Sequence, residues 1–279
     1  MSPTFMRIAH FSDIHFFHPY WGLSSLVTKR VIGNLNGLFN RGRKMHPNRA
    51  FSALDECEKL GVTHIMISGD LTTTASPAEY TLAQIFVEEI EERGMKAYLV
   101  PGNHDCYTRF DERDRTFFQY FPISDGSVYH EKLNKKWHLV GLDTTISTAS
   151  TSARGDFNEQ REDELLTILA KIPQSDSIIL MNHFPLFAYE MLLRTMKGCE
   201  RLQKIILEQK NIEFYLHGHA HRSTIADLRA NGFPVVLDAG ALTANSASTW
   251  NLIDLETPCV TLFQWQNGEW LVRKKHELV

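Results

Sequence analysis

The chain has 279 residues, of which 43% are hydrophobic, and its formal net charge at pH 7 is −4. This length allows a sizeable buried core, and no repeat or low-complexity linker divides the chain, so we expect a single domain over residues 1–279. The acidic balance argues against a protein that coats nucleic acid, and no stretch approaches the roughly 18 consecutive apolar residues of a membrane-spanning helix.

The first two thirds of the chain alternate between strand-like and helix-like segments. Short apolar runs rich in β-branched and aromatic residues predict strands at Arg7–Ser12, His64–Ser68, Lys96–Val100, His138–Leu142, Ile178–Met181, Phe214–Leu216 and Val235–Leu237. Helical periodicity predicts the intervening helices Pro47–Leu60, Pro77–Arg93, Asn158–Lys171 and Cys199–Gln209. Pro47 and Pro77 suit the first turns of their helices, and Gly61 and Gly94 suit the stops just past the ends. This order predicts an α/β fold with a largely parallel inner part.

The last quarter of the chain changes character. Strand composition with few helices between predicts strands at Arg222–Leu228, Trp250–Leu255, Cys259–Gln266 and Trp270–His276. The sequence Gln266-Asn267-Gly268 is a hairpin turn signal, because Asn and Gly both tolerate a positive φ. We therefore expect a second, more antiparallel sheet in this part of the chain.

Polar clusters follow several of the predicted strands, and the first is Asp13-Ile14-His15. Because residues i and i+2 of an extended chain point the same way, its carboxylate and imidazole are expected to project together from the end of the strand. A pattern this short also fits an N-cap aspartate beside a surface histidine.

The next two clusters follow the second and third strands. Asp70, which follows Gly69, could belong to a functional site or could simply cap the following helix. Gly102-Asn103-His104-Asp105 would be an odd choice for a structural turn, since four polar or flexible residues come directly after a buried strand. Gly102 permits a close backbone approach, so this cluster favours a functional role.

Histidines supply the last two clusters. His183 follows the strand at Ile178–Met181, and a lone histidine there is more often structural. His217, His219 and His221 place three imidazoles within five residues. Packing these rings without a ligand would leave several nitrogens unsatisfied, so metal binding is favoured over a solvated loop.

The five clusters together are more specific than any one of them. The carboxyl ends of strands in open α/β sheets converge on a ligand crevice. A mixed set of Asp, His and Asn suits divalent Mn, Fe, Zn, Co or Ni, and the absence of cysteine disfavours a closed structural zinc site.

At this point the residues resemble the calcineurin-like metallophosphoesterase superfamily, whose ordered series is DxH, GD, GNHD, an isolated His and GHxH. All five blocks occur in order from Asp13 to His221, so the resemblance covers most of the chain. It implies a four-layer α/β/β/α sandwich of two mixed sheets flanked by helices. It also implies hydrolysis of phosphoester or phosphoanhydride bonds.

The resemblance implies two metal ions, each with three ligands of its own. One ion would be bound by Asp13, His15 and His221, and the other by Asn103, His183 and His219, with Asp70 bridging the two. His104 would stabilise the phosphate or protonate the leaving group, and Asp105 would orient His104 by a hydrogen bond. His217 lies outside the motif and is expected either to be structural or to support a ligand residue by a hydrogen bond. The implied cofactors are two divalent ions, Mn²⁺ first, with Fe, Zn or Co as alternatives.

An insertion at about 16–46 has a different composition. Between His15 and Leu54 there is no Asp or Glu, and the stretch opens with aromatic residues. Plotted as a helix, it has one broad apolar face, interrupted by Ser24 and Thr28. One hypothesis is a helix packed on the core beside a basic rim. The other is an interfacial segment that contacts anionic head groups or substrate through Trp21, Lys29, Arg30, Arg41, Arg43 and Lys44.

Three functions are compatible with these features. The insertion favours hydrolysis of a lipid-linked nucleotide pyrophosphate at a membrane surface. In this respect the chain resembles the bacterial UDP-2,3-diacylglucosamine pyrophosphatases, and the resemblance implies formation of lipid X and UMP in lipid A synthesis. The alternative is a soluble cyclic-nucleotide phosphodiesterase. A non-enzymatic scaffold is the third, and relatives of that kind would be expected to lose ligands, whereas every ligand position is filled in this chain.

The amino-terminal sequence and the spacing of the cysteines indicate in which cellular compartment the protein is expected. No signal-peptide pattern precedes the first predicted strand, so we expect a cytoplasmic protein that associates peripherally with the inner face of the membrane if the insertion binds lipid. Cys57, Cys106, Cys199 and Cys259 are widely separated and form no CxxC pair. Their spacing indicates free thiols in a reducing compartment, and the sequence leaves the oligomeric state open.

Overall fold

The computed structural model describes residues 6–19, 30, 45–149, 151–188, 192–245 and 247–278. The strands are β1 (Arg7–Phe11), β2 (His64–Ile67), β3 (Lys96–Leu99), β4 (Val128–Lys132), β5 (Trp137–Leu142), β6 (Ser177–Asn182), β7 (Ile212–His217), β8 (Ser223–Asp227), β9 (Val235–Ala239), β10 (Thr249–Asp254), β11 (Cys259–Gln266) and β12 (Glu269–Glu277). The α-helices of the described ranges are α1 (Asn48–Lys59), α2 (Pro77–Glu92), α3 (Arg109–Arg113), α4 (Thr116–Tyr120), α5 (Glu159–Leu169) and α6 (Cys199–Glu208).

The strands form two six-stranded mixed sheets. The first sheet has the order β12-β11-β10-β1-β2-β3, and the second has the order β4-β5-β6-β7-β9-β8. Strands β1, β2 and β3 run parallel to one another, as do β5, β6, β7 and β9. The carboxyl ends of each parallel group therefore lie along one edge of its sheet.

Successive side chains of a strand point to opposite faces of its sheet, so two stacked sheets have one shared inner face and two outer faces. The apolar side chains form three corresponding layers. Ile8, Met66, Ile179 and Leu216 belong to the core between the two sheets. The outer face of the first sheet packs on α1 and α2, whereas that of the second packs on α5 and α6. The predicted four-layer α/β/β/α sandwich is therefore confirmed.

The predicted separate sheet of late strands is wrong. Strand β10 pairs antiparallel with β1, from Arg7 opposite Asp254 to His10 opposite Asn251, so β10–β12 extend the first sheet. Both faces of β10 are buried, because its alternate residues join the inter-sheet core and the layer under the helices. Sequence composition identified these strands but carried no signal for the sheet that they join.

Several local signals acted as predicted. Gly61 and Gly94 adopt left-handed backbone angles, φ 66° and 77°, directly after the C-caps of α1 and α2. Pro77 occupies the first turn of α2 behind a Ser76–Glu79 capping box, whereas Pro47 is the residue just before α1. Asn267 and Gly268, both with positive φ, form the turn between β11 and β12.

The described part of the chain contains no helix long and apolar enough to cross a bilayer. All four cysteines are free thiols, as predicted, and the structure shows that all four are buried.

Candidate metal centre

Five loops meet where the parallel strands of both sheets end. Within the first sheet, the loops after β1 and β2 are joined by backbone hydrogen bonds, from Asp13 N to Gly69 O at 3.0 Å and from His15 N to Asp70 O at 2.9 Å. In the second sheet, Gly218 N donates to His183 O at 3.0 Å. The loop after β3 approaches that of Asp70 so closely that a Cβ on Gly102 would overlap the Asp70 carboxylate. The predicted need for glycine at 102 thus comes from this contact between loops.

Five of the seven predicted ligands have left-handed backbone angles, namely Asp13, His15, Asp70, His219 and His221, with φ between 53° and 68°. Non-glycine residues rarely adopt this region, and such strain concentrates at functional sites. Strand β1 already ends at Phe11. The side chains of Asp13 and His15 are therefore aimed by these strained angles and not, as predicted, by the alternation of an extended strand.

The first predicted ligand set is close together. Asp13 Oδ1 lies 2.9 Å from His221 Nε2 and 3.7 Å from His15 Nε2. The two Nε2 atoms of His15 and His221 are 3.3 Å apart. Asp13 and His15 are buried, whereas the His221 side chain is 37% exposed.

The second predicted set is equally compact. Asn103 Oδ1 lies 3.2 Å from His183 Nε2 and 2.8 Å from His219 Nδ1. His183 is completely buried, and Asn103 is 9% exposed. Three side chains from three different loops thus direct one ligand atom each to the same point.

Asp70 lies between the two sets. Its Oδ2 is 3.7 Å from His15 Nε2 and 3.5 Å from His183 Nε2, while its Oδ1 accepts a hydrogen bond from His104 N. This is the position that a bridging carboxylate requires. The structure therefore brings all seven predicted ligand residues together, and their ligand roles stay predictions.

Backbone carbonyls fix the orientation of the imidazoles. His15 Nδ1 faces Thr72 O at 3.2 Å, His183 Nδ1 faces Ser68 O at 2.8 Å, and His219 Nε2 faces Arg194 O at 3.1 Å. Since a carbonyl can only accept, the ring nitrogen opposite it must donate, which leaves the other nitrogen as a lone pair for a metal. Sequence reasoning missed these three carbonyls, because a main-chain acceptor has no side-chain signature.

The charges and unsatisfied atoms of the centre fit divalent cations. Asp13 Oδ1 is buried without a hydrogen bond of acceptable geometry, although His221 Nε2 is near. Burial alone would raise the pKa of Asp13, but the imidazoles of His221, His15 and His183 hold it well below its ordinary value. Burial lowers the pKa of His183, and that of His219 to about 3, which favours the neutral form that binds metals. Buried carboxylates beside the neutral rings of His183 and His219 leave a negative charge that cations would compensate.

His104 lies beside the two sets, within reach of His15 and Asp70. Its Nδ1 faces Thr73 O at 2.7 Å, and its ring stacks on that of Tyr107. The prediction that Asp105 orients His104 by a hydrogen bond is not met, because the Thr73 carbonyl occupies that position. The Asp105 carboxylate instead accepts hydrogen bonds from the backbone N–H groups of Leu71, Thr72 and Gly102.

An open cavity of about 280 Å³ gives access to the centre. Its lining includes Asp70, Asn103, His104, His219 and His221. Arg194 also lines it, a residue that sequence reasoning missed because no motif marks it. The cavity is therefore lined by predicted metal ligands, by the predicted acid His104 and by the cationic side chain of Arg194.

The predicted substrate or membrane contacts are only partly visible. Trp21, Lys29, Arg41, Arg43 and Lys44 lie outside the described residues. Arg30 is 9% exposed and forms a 2.6 Å ion pair with Asp111, and it also donates to the carbonyls of Thr74 and Ala75. This burial differs from the predicted contact with head groups, because the guanidinium is engaged inside the protein. His217 is buried, and its Nδ1 faces Gly218 O.

A family model agrees with this arrangement. The model described as calcineurin-like phosphoesterase matches residues 6–223, which include every predicted ligand. A solved dimetal phosphatase from Danio rerio is 12% identical, and the match covers 96% of this chain and 98% of that one with a TM-score of 0.64. That likeness shows the fold.

Curated relatives are more similar in sequence. The chain is 25% identical over 173 residues to the 3′,5′-cyclic adenosine monophosphate phosphodiesterase CpdA of Escherichia coli K12, which covers 60% of this chain and 57% of that protein. It is 21% identical over 214 residues to the 3′,5′-cyclic-nucleotide phosphodiesterase alr5338 of Nostoc sp. PCC 7120, covering 75% and 74%. The chain thus spans little more than half the length of the first of these relatives.

Proposed function

We propose that this chain, which belongs to the calcineurin-like phosphoesterase family, is a phosphodiesterase. In this proposal it uses two divalent metal ions and hydrolyses a cyclic nucleotide. The observation that carries the proposal is the convergence of seven side chains from five loops into two sets that meet at Asp70 Oδ2. The set Asp13, His15 and His221 would hold one ion, and the set Asn103, His183 and His219 would hold the other.

Bound divalent ions supply charge neutralisation at phosphate oxygens and water whose pKa is lowered to about 7. The chain's own contribution is to hold the neutral imidazoles in one tautomer through the carbonyls of Ser68, Thr72 and Arg194. Mn²⁺ is the first candidate metal, since the ligand set mixes carboxylate, amide and imidazole groups.

His104 is suited to proton donation. Because its Nδ1 donates to Thr73 O, its Nε2 is the nitrogen that takes up and releases a proton, and the protonated ring carries that proton on Nε2. The ring lines the cavity beside the ligands, so a leaving oxygen bound there can take that proton. His104 is thus the catalytic acid of the proposed reaction, with Asp105 supporting the loop that carries it.

The relatives and the cavity support the proposed substrate class. Two relatives are named as cyclic-nucleotide phosphodiesterases. The cavity over the centre is open and has polar lining, with Arg194 as a partner for a phosphate oxygen. These features support a small phosphodiester substrate.

A lipid-linked nucleotide pyrophosphate remains the second candidate. The observation in its favour is the acid-free, basic and amphipathic sequence at about 16–46, which follows His15 directly. A protein of this kind would bind peripherally to the inner face of a membrane through those cations. The burial of Arg30 removes one cation from the set that this candidate uses.

A direct comparison of substrates separates the candidates. The purified chain with Mn²⁺ is assayed against cyclic AMP and UDP-2,3-diacylglucosamine, with Asp70→Ala as the control for contaminating activity. We expect cyclic AMP to be hydrolysed and the activity to disappear in the control. Cleavage of the lipid-linked substrate alone would establish the second candidate. No hydrolysis of either substrate, or of bis(p-nitrophenyl) phosphate, with Mn²⁺, Fe²⁺, Zn²⁺ or Co²⁺ would overturn both.

A further inference from the structure

A second cavity, of about 370 Å³, shares no lining residue with the cavity over the metal centre. It lies on the outer face of the second sheet, at the edge formed by β8 and β9. Thr224 pairs with Asp238 and Ala226 with Val236, so these four side chains project from the same face. The intervening residues, such as Leu237, belong to the core between the sheets.

The opposite wall comes from the segment after β6. Pro185, Leu186, Phe187 and Ala188 line the cavity there. The ring of Phe187 is 38% exposed and packs edge-on against Phe233, with the ring centroids 5.2 Å apart. Phe187 is therefore a large aromatic surface that is held in place yet remains open to a ligand.

Polar groups form the inner end of the cavity. His217 Nδ1 faces Gly218 O at 3.1 Å, so it donates, which leaves Nε2 as an acceptor. Asp238 is 3% exposed, and its Oδ1 accepts a hydrogen bond from Gly240 N. Burial raises the pKa of the Asp238 carboxyl well above its ordinary value, although hydrogen bonds from Gly240 N and Arg222 N and the charge of Arg222 act to lower it. Its Oδ2 lies 4.0 Å from His217 Nδ1.

We propose that this second cavity binds a neutral, planar nitrogen heterocycle of the nucleobase type. Such a molecule presents apolar faces to the strand wall and to Phe187, and donors and acceptors along its edge to His217 and Asp238. A hydrocarbon chain would leave the polar inner end unsatisfied, at a cost in binding. A small ion would leave the apolar walls unfilled.

Residues that line the second cavity lie close in sequence to predicted ligands of the metal centre. Pro185 lies two residues after His183, and His217 lies two residues before His219. Arg222, which also lines the cavity, adjoins His221. The heterocycle is therefore either the base of the substrate or a free nucleoside that binds beside the catalytic loops. The inference does not require the proposed function, because binding is measured without turnover.

The test is calorimetric binding of adenosine and uridine to the full chain in EDTA and again with Mn²⁺. Ala226→Phe fills the cavity from the edge strand. Ala230→Phe makes the same change at an exposed residue outside the lining. Sodium octanoate serves as the apolar probe.

We expect at least one nucleoside to bind in EDTA, with affinity at least tenfold weaker in Ala226→Phe and unchanged in Ala230→Phe. Circular dichroism of both variants checks that the fold is retained. Competition with cyclic AMP would assign the site to the substrate's base, and binding alongside it would assign the site to a free nucleoside. The proposal is overturned if neither nucleoside binds at millimolar concentration, if both variants bind equally well, or if octanoate alone binds.

Discussion

At the scale of single residues, the strained backbone of the metal centre is the feature that the sequence conceals. Five predicted ligands adopt positive φ although none is glycine. The motif letters of DxH and GHxH specify which atoms are present, whereas hydrogen bonds between loops, such as Asp13 N to Gly69 O, hold the angles. Ligand identity was therefore predictable from the sequence, but the way in which each ligand is aimed was not.

Replacing His104 by alanine separates proton donation from metal binding. No predicted ligand is lost, so we expect two metal ions per chain and a fall in kcat of about 10² to 10⁴. Metal analysis by mass spectrometry and steady-state kinetics on the same sample check this, with Asp70→Ala as the variant that loses metal. Wild-type turnover, or loss of metal from His104→Ala, would contradict the assigned role.

Substitution of Arg194 separates substrate binding from metal binding. Arg194 holds His219 through its backbone carbonyl, which a side-chain substitution leaves in place. We therefore expect Arg194→Ala to keep both metals and to lose about 10-fold or more in kcat/KM, because a charged hydrogen bond to phosphate is lost. Arg194→Lys should recover part of that loss. If metal content falls in both variants, the side chain acts on the centre and not on the substrate.

At the scale of elements, the sequence predicted the segments that have strong periodicity and missed those that do not. Strand β4 (Val128–Lys132) is largely exposed and polar, and α3 and α4 are five residues each, too short for a helical period to be recognised. The late strands were found, but the sheet that they join depends on pairing between Arg7 and Asp254, which are distant in sequence. The ligand loops were found because each follows a short apolar run that reads as a strand.

Asp105 acts at this scale, as a clamp between loops. Its carboxylate accepts hydrogen bonds from the backbone N–H groups of Leu71 and Thr72 on one side and Gly102 on the other. We expect Asp105→Ala to lower the free energy of unfolding by about 2–5 kcal/mol, since buried donors lose their acceptor. We also expect metal affinity to fall about 10- to 100-fold.

Urea unfolding and metal titration of the Asp105 variant measure the two effects. Asp114→Ala, which removes an exposed ion pair with Arg113, is the control and should change neither quantity appreciably. An Asp105 variant with normal stability and normal metal affinity would show that the clamp is not needed.

At the scale of the whole molecule, two parallel groups of strands from different sheets bring the ligands together. The first sheet supplies Asp13, His15, Asp70 and Asn103, and the second supplies His183, His219 and His221. The polar clusters predicted this convergence, since strand ends meet at one edge. The second cavity could not be predicted, because its walls come from β8, β9 and the segment after β6, which share no sequence pattern.

Stability should fall in mild acid for a reason unrelated to the metals. His64 stacks on Tyr98, and burial together with Lys96 lowers its pKa to about 4 from an ordinary value of 6.5. The unfolded chain therefore binds this proton more readily, so the contribution of His64 is fully present above pH 6.5 and is lost as the pH falls towards 4.

We expect His64→Gln to flatten the dependence of unfolding free energy on pH between 6.5 and 4. Urea unfolding at pH 7.5, 6.5 and 5 in EDTA measures the slopes for the wild type and the variant. Identical slopes would show that His64 has the same pKa in the folded and unfolded chains.

The most direct test of the two-metal account is the anomalous scattering of a crystal grown with Mn²⁺. The account predicts two peaks, one among Asp13, His15 and His221 and the other among Asn103, His183 and His219, with Asp70 contacting both. A single peak, a peak away from these residues, or no peak under conditions where the chain hydrolyses phosphodiesters would contradict it.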